Sequence, residues 1–207
     1  MARRGKAIAE LARLRPTQLT LGYIHMRDKM AVTRRQQDAG GAALRRFLRR
    51  HRIKTVAGPG GTLFIVDHHH WARAWSELGY RRAPVRILHD LGGLGPSAFW
   101  KRLDALGYVH PYNELGDRLG VAALPASVMG MRDDPYRSLA AFTRMAGAYR
   151  KPPNAAGDFR WAGFLREHVE EDMGTIGGFA LALSLAIRLA RSSAARRLPG
   201  YCGPAAA

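Results

Sequence analysis

The 207-residue chain has a single cysteine, Cys202, within its last six residues. One thiol excludes an intramolecular disulfide framework and any cysteine-based zinc or iron–sulfur site. Acidic residues are scarce, with 16 Asp+Glu against 33 Lys+Arg, a net charge of +17 and a pI near 11.2. Lysine is scarce too, at five residues, so the basic character belongs to arginine. A chain this basic is expected to associate with polyanions or phosphorylated ligands. Long apolar runs are missing: the longest, Phe179 to Ala190, is twelve residues and contains Arg188, too short and too charged to span a bilayer. The first residues, MARRGKAIAELARLRP, contain no apolar core of a signal peptide. The expectation is a soluble, reduced, cytoplasmic protein with no membrane partner. At 47% hydrophobic and 24% charged the chain has enough apolar material for a real core. Its length suits one domain, or one domain with a helical extension.

The charge is uneven. Residues 1–55 hold 15 Lys/Arg and 3 Asp/Glu, a net +12. The peak is Arg45-Arg46 and Arg49-Arg50-His51-Arg52, where Leu44, Phe47 and Leu48 fall at helical spacing. This pattern predicts an amphipathic helix over about Ala42–Arg50 with an arginine face. Arg45, Arg46, Arg49 and Arg50 are candidates for neutralising nucleic-acid phosphates without reading sequence; a solvated face is the plain alternative.

Along the chain, Leu14–Tyr23 (LRPTQLTLGY) reads as a short extended segment, followed by a polar, basic stretch. Ile53–Val56 and Thr62–Val66 are strands, and Gly58-Pro-Gly-Gly61 between them makes a hairpin turn. That glycine run lacks the lysine and hydroxyl residue of a phosphate loop. Val66-Asp-His-His-His-Trp-Ala-Arg-Ala-Trp-Ser-Glu-Leu-Gly79 then passes from strand into helix. Trp71, Ala74, Trp75 and Leu78 recur at i, i+3, i+4 and i+7, with Asp67 read as N-cap and Gly79 as the residue past the end. Ala83–Leu88 is a further strand. The fold expected is α+β: a small mixed-sheet domain over 1–90 and a mainly helical region over 91–207. In the latter, Phe99–Leu103 lies on a helix. Asp134-Pro135 opens another through about Ala146, Tyr149–Asp158 is a loop, and Phe159–Glu171 and Phe179–Arg191 are helical. Arg196–Ala207 is a frayed tail.

The strand-to-helix junction carries the chemistry. A helix N-terminus offers unpaired amides and partial positive charge to an anion. Histidines in its first turn add donors. A nearby carboxylate can act as a base or hold Mg²⁺ against phosphates. His68, His69 and His70 are therefore candidate phosphate-binding residues. Asp67, His69 and His70 are candidate catalytic residues, with Asp67 also the candidate metal ligand. Adjacent side chains point in different directions, so a tight metal cluster needs partners from elsewhere in the chain. At the second capped helix, Arg137 and Ser138 are further candidates for phosphate. Arg137 opposes the helix dipole and so calls for an anionic partner, from an internal ion pair or a ligand.

Residues Leu14-Arg-Pro-Thr-Gln18, Gly22-Tyr23, Phe64-Ile-Val-Asp-His-His-His70 with Ala74, Phe99-Trp100, Asp133-Asp-Pro-Tyr-Arg-Ser-Leu-Ala140 and Phe159-Arg-Trp-Ala-Gly-Phe-Leu-Arg166 together resemble the family named putative ParB-like nuclease, within the ParB/sulfiredoxin superfamily. The resemblance covers roughly residues 14–172. It implies that the strand-to-helix junction binds nucleotide phosphates. Chromosome-partitioning ParB proteins carry Gly-Glu-Arg-Arg there, sulfiredoxins Gly-Cys-His-Arg, and free-serine kinases an Asp-Gly-His type motif. Asp67-His68-His69-His70 stands at that position. No cysteine lies at the junction, which excludes sulfinic-acid reduction. The Glu-Arg-Arg of the DNA clamps is absent, and Gln18 stands near where the kinases carry a glutamate.

Two classes of function follow. One is an enzyme of phosphoryl-transfer or phosphodiester chemistry, a phosphotransferase or nuclease, acting on a nucleotide or phosphorylated small molecule with Mg²⁺ as the expected metal. The other is a DNA- or nucleotide-binding module without turnover.

Overall fold

A computed structural model describes residues 5–204. Residues 1–4, the start of the segment without a signal-peptide core, and 205–207, the end of the expected tail, lie outside the described residues. The described residues divide into two compact units, one built from those up to residue 21 together with 26–133 and the other from 22–25 together with those from 134 on.

The first unit is built on a five-stranded mixed sheet of order β1-β6-β4-β5-β2. Its strands are β1 (Gly5–Glu10), β2 (Arg15–Pro16), β4 (Ile53–Ala57), β5 (Leu63–Asp67) and β6 (Arg82–Asp90). The expected hairpin is present as antiparallel β4–β5. Gly60 and Gly61 turn it with φ of 66° and 75°, the left-handed region where a missing Cβ removes the strain. β4 and β6 pair in parallel and bury Ile53, Thr55, Val85 and Ile87. A two-stranded parallel pair joins β3 (Thr20–Leu21) to β7 (Arg132–Asp133). The stretch read as merely polar and basic is helical: α1 runs Tyr23–Asp38. Its buried positions are His25, Met26 and Thr33, of which only Met26 is apolar, so no apolar stripe marks it in sequence. Thr33 accepts from the Trp75 indole at 3.2 Å. α2 spans Gly41–Arg50, α3 His69–Glu77 and α4 Pro96–Ala105. α4 packs Phe99 and Leu103 with Val56, Val66 and Val109 in one cluster. The sequence boundary expected at residue 90 therefore falls inside this unit: the helix beyond it covers the sheet.

The second unit holds α5 (Pro135–Met145), α6 (Ala155–His168) and α7 (Ile176–Arg191). Leu139, Trp161, Leu165 and a row of small residues, Ala182, Ala186 and Ala190, form its core. Tyr149 stacks on Trp161 with ring centroids 3.8 Å apart. α6 starts four residues before the expected point because Asn154 caps it, accepting from the Gly157 amide. The expected fraying from Arg196 does not hold through Tyr201. The Trp161 indole donates to the Pro199 carbonyl at 2.8 Å, and the Arg150 amide to that of Gly200 at 2.8 Å. Buried backbone acceptors met in this way hold a segment that carries few apolar residues.

Candidate functional site

The junction between β5 and α3 departs from its expected geometry in one respect. Asp67 is not the N-cap. The cap position is His68, whose carbonyl accepts from the Ala72 amide at 3.0 Å. His68 makes the turn with φ 72° and ψ 28°, the one non-glycine residue at positive φ among those described. A side chain there costs conformational energy that the surroundings must offset. Here His68 Nδ1 lies 2.8 Å from the Arg52 carbonyl, a geometry in which only an Nδ1–H can bond, so the ring is pinned to the loop before β4. Asp67, one residue too early to cap, accepts from the His68 amide at Oδ1 (2.7 Å) and from Lys54 Nζ at Oδ2 (2.6 Å).

The electrostatics follow from these contacts. Burial alone would raise the Asp67 carboxyl. The nearby His68 ring, charged in the acid range where Asp67 titrates, and the Lys54 ammonium outweigh burial and hold it below the ordinary carboxylate value. Burial depresses His68, against the pull of Asp67 and the Arg52 carbonyl. At neutral pH the pair is a carboxylate beside a neutral imidazole. His69 is buried, and its Nε2 accepts the Thr17 amide at 3.2 Å. A nitrogen accepting a hydrogen bond carries no proton, so the His69 proton resides on Nδ1. Thr17 also donates its hydroxyl to the Ile65 carbonyl at 2.7 Å, so the Arg-Pro-Thr-Gln segment is tied to both sides of the junction. His70 is half-buried in the first turn of α3. Among the described residues, no group of three or more histidine, cysteine or acidic side chains is arranged to hold a metal ion.

In the second unit Asp134 does cap. Its Oδ1 accepts from the Tyr136 amide at 3.0 Å and its Oδ2 from Arg166 Nη2 at 2.6 Å. Burial pushes this carboxyl up, opposed by Arg166 and Arg137. Arg137 is 6% exposed and lies with its guanidinium 3.6 Å from the Phe159 ring centroid. Burial lowers it, while Asp134 and Asp158 sustain its charge; its Nη1 is buried without a hydrogen-bond partner among the described residues. Ser138 is fully buried and its hydroxyl accepts from the His25 amide at 3.2 Å, closing the first turn of α1. Gly22 lies so close that a Cβ there would stand 2.3 Å from Ser138 Oγ and 2.4 Å from its amide nitrogen.

A family model described as "Putative ParB-like nuclease" matches residues 7–167. The chain belongs to this family. It is also similar to protein Atu1540 from Agrobacterium tumefaciens, whose crystal structure superposes with a TM-score of 0.85 at 32% identity, over 97% of this chain and 99% of that one. A search of the curated proteins finds no match. Family membership ties the ParB-like chain to nucleic-acid- or nucleotide-related function. No helix among its described residues is long and apolar enough to cross a membrane.

Two further features bear on the candidate residues. α2 places Arg45, Arg46, Arg49 and Arg50 on its exposed side, with Leu44, Phe47 and Leu48 partly buried and Phe47 edge-on to Trp71 at 5.2 Å. Sequence reading missed Lys54 and Arg73. Lys54 is a lone cation on a short strand, and only pairing across the hairpin brings it to Asp67. Arg73 binds Glu77 at 2.7 Å and donates to the carbonyls of Val128, Met129 and Met131. Its one local clue is the i,i+4 spacing to Glu77. Arg166 ends the Phe159–Arg166 run, and no local signal marks it as the partner of Asp134.

Proposed function

We propose that this ParB-like chain binds the phosphate of a nucleotide or polynucleotide at the β5–α3 junction and carries out phosphoryl-transfer or phosphodiester chemistry there. The observation that carries the reading is an ionised carboxylate, Asp67, fixed by Lys54 immediately before a helix start that also bears His69 and His70. The α3 helix start supplies amide donors and positive potential for the phosphate, His69 and His70 can add donors from its first turn, and His68, neutral and bonded through Nδ1 to the Arg52 carbonyl, holds the turn. Asp67 is poised to hold Mg²⁺, a hard cation that takes one or two carboxylates together with substrate phosphates; the carboxylate is of the right type and charge, and the phosphates would supply the ligands that the protein does not. Such a metal would neutralise charge on the transferring group. Lys54 keeps Asp67 deprotonated, and His70 can exchange a proton at the phosphate. Within the second unit, Arg137, with an unsatisfied Nη1 in a buried setting, is a separate candidate for a phosphate, and Ser138 supports the backbone beside it.

One observation favours a second reading, a binding module without turnover. Both Asp67 oxygens are engaged and its pKa is lowered, which suits a ligand or positioning group better than a proton acceptor. Titration of ADP, ATP and CTP by calorimetry, with and without Mg²⁺, followed by assay for released phosphate and for cleavage of labelled oligonucleotides, decides between them. Binding with turnover supports the enzyme, binding alone supports the module, and nucleotide binding unaltered by His70→Ala and Asp67→Asn places the site elsewhere.

A further inference from the structure

The register of the sheet lines up four charged residues that are far apart in sequence. Lys6 of β1 pairs with Arg86 of β6, Arg86 with Lys54 of β4, and Lys54 with Asp67 of β5. Directly paired residues point to the same face of a sheet, so Lys6, Arg86, Lys54 and Asp67 form one transverse row. With neighbouring strands about 4.8 Å apart, it spans about 14 Å. The same face runs on beneath α4 through Val56 and Leu88, and the row lies at the end where Lys6 and Arg86 are exposed. Its charge is not cancelled locally. Arg82, four residues before Arg86 on β6, is paired with Glu10, whereas neither Lys6 nor Arg86 has a salt bridge among the described residues. Only Lys54 is neutralised, by Asp67. The row also changes in depth, from exposed Lys6 and Arg86 to Lys54 and Asp67 with side chains 38% and 44% exposed.

We propose that this row is a track for the phosphate backbone of a single-stranded nucleic acid, leading it across the sheet to the junction. The inference rests on the proposed phosphate site and names its substrate class: a polynucleotide strand rather than a free mononucleotide. Lys6 and Arg86, one strand apart and without a salt bridge among the described residues, can each meet a phosphate of one strand, and the row leads from them to the half-exposed Lys54–Asp67 pair. A single file of cations engages the backbone of one strand, and a duplex is the alternative that the test separates. No aromatic or amide side chain belongs to the row, so binding is through the backbone and indifferent to sequence.

The test uses the full chain with Lys6→Ala/Arg86→Ala, two exposed positions outside the junction. Fluorescence anisotropy with a labelled oligo(dT) strand, repeated across a salt series, should show affinity reduced about tenfold and the slope of log K against log salt shallower by about 1.4, at roughly 0.7 per single-strand phosphate contact. ADP binding measured by calorimetry should not change. Oligonucleotide affinity and salt slope equal to wild type would overturn the track while leaving the junction reading intact. Duplex of the same length bound as tightly as the single strand would overturn the choice of substrate. If instead wild type binds oligo(dT) with the predicted loss in the variant yet binds no ADP, the track stands and the mononucleotide site fails.

Discussion

The chain starts two helices from an aspartate, and the two starts are built for different ends. Before α5, Asp134 meets the expectation of an N-cap. Its carboxylate is 2% exposed, accepts a first-turn amide and closes an ion cluster with Arg166. Before α3, Asp67 stands one residue outside the cap, half-exposed, and His68 turns the chain at positive φ without side-chain capping. Two carboxylates of the same type consequently titrate in opposite directions, Asp134 raised by burial and Asp67 lowered by its cationic neighbours. A buried cap that holds a first-turn amide and closes an ion pair is a structural device. A helix start left with a strained residue and an accessible carboxylate is where chemistry is expected.

The sharpest way to break this contrast is to delete each carboxylate. Asp134→Ala strands Arg137 and Arg166 in a buried setting and is expected to cost about 3–5 kcal/mol, measured by urea unfolding; a loss below about 1 kcal/mol would show that the cluster is not structural. Asp67→Asn should leave stability nearly unchanged, because a half-exposed pair with Lys54 is worth a few tenths of a kcal/mol. Turnover on the substrate found by the nucleotide titration should fall about a hundredfold or more. Equal activity in the variant would remove Asp67 from the chemistry.

Gly22→Ala probes the α5 side again. A methyl group driven into the Ser138 backbone is expected to cost about 1–3 kcal/mol, and the same measurement reads it. His68→Gly and His68→Ala sharpen the α3 side. Both lose the bond to the Arg52 carbonyl, but only glycine relieves the positive φ, so the glycine variant should be the more stable by about 1 kcal/mol; equal stabilities would mean His68 is not strained.

The smallest effect is in pH dependence. Asp67, with a depressed folded pKa, contributes stability present above the unfolded carboxylate value of about 3.9 and lost as pH falls through its folded pKa. Asp134, raised, has the opposite sign: it favours the folded state at low pH, and that contribution fades as pH rises from about 3.9 through its folded value. His68, depressed, weakens the fold as pH drops below about 6.5 towards its folded pKa. Unfolding free energies followed from pH 3 to 7 should therefore flatten below pH 4 in Asp67→Asn. In Asp134→Asn they should rise more steeply above pH 4 than in wild type. Parallel curves for all three proteins would contradict the assignment.

The sequence by itself determined the elements whose stabilisation is local. The Gly-rich turn between two β-rich runs gave the β4–β5 hairpin, Trp71, Ala74 and Trp75 at i, i+3 and i+4 gave α3, and Asp134-Pro135 opened α5. It also located the junction, since strand, helix signal and histidines are contiguous. It could not show α1, whose buried stripe is polar and becomes helical through contacts such as Thr33 with Trp75. Nor could it show which residue caps α3, because both Asp67 and His68 can end a strand and only the path of β5 against β4 selects His68 for the turn. Tertiary structure alone decided who meets Asp67. Lys54 lies 13 residues away, and Arg86 and Lys6 come into its row through β6 and the edge strand β1. Strand register is a non-local property, set by which faces bury their apolar residues, so the charges flanking the site exist as a group only once the sheet has formed.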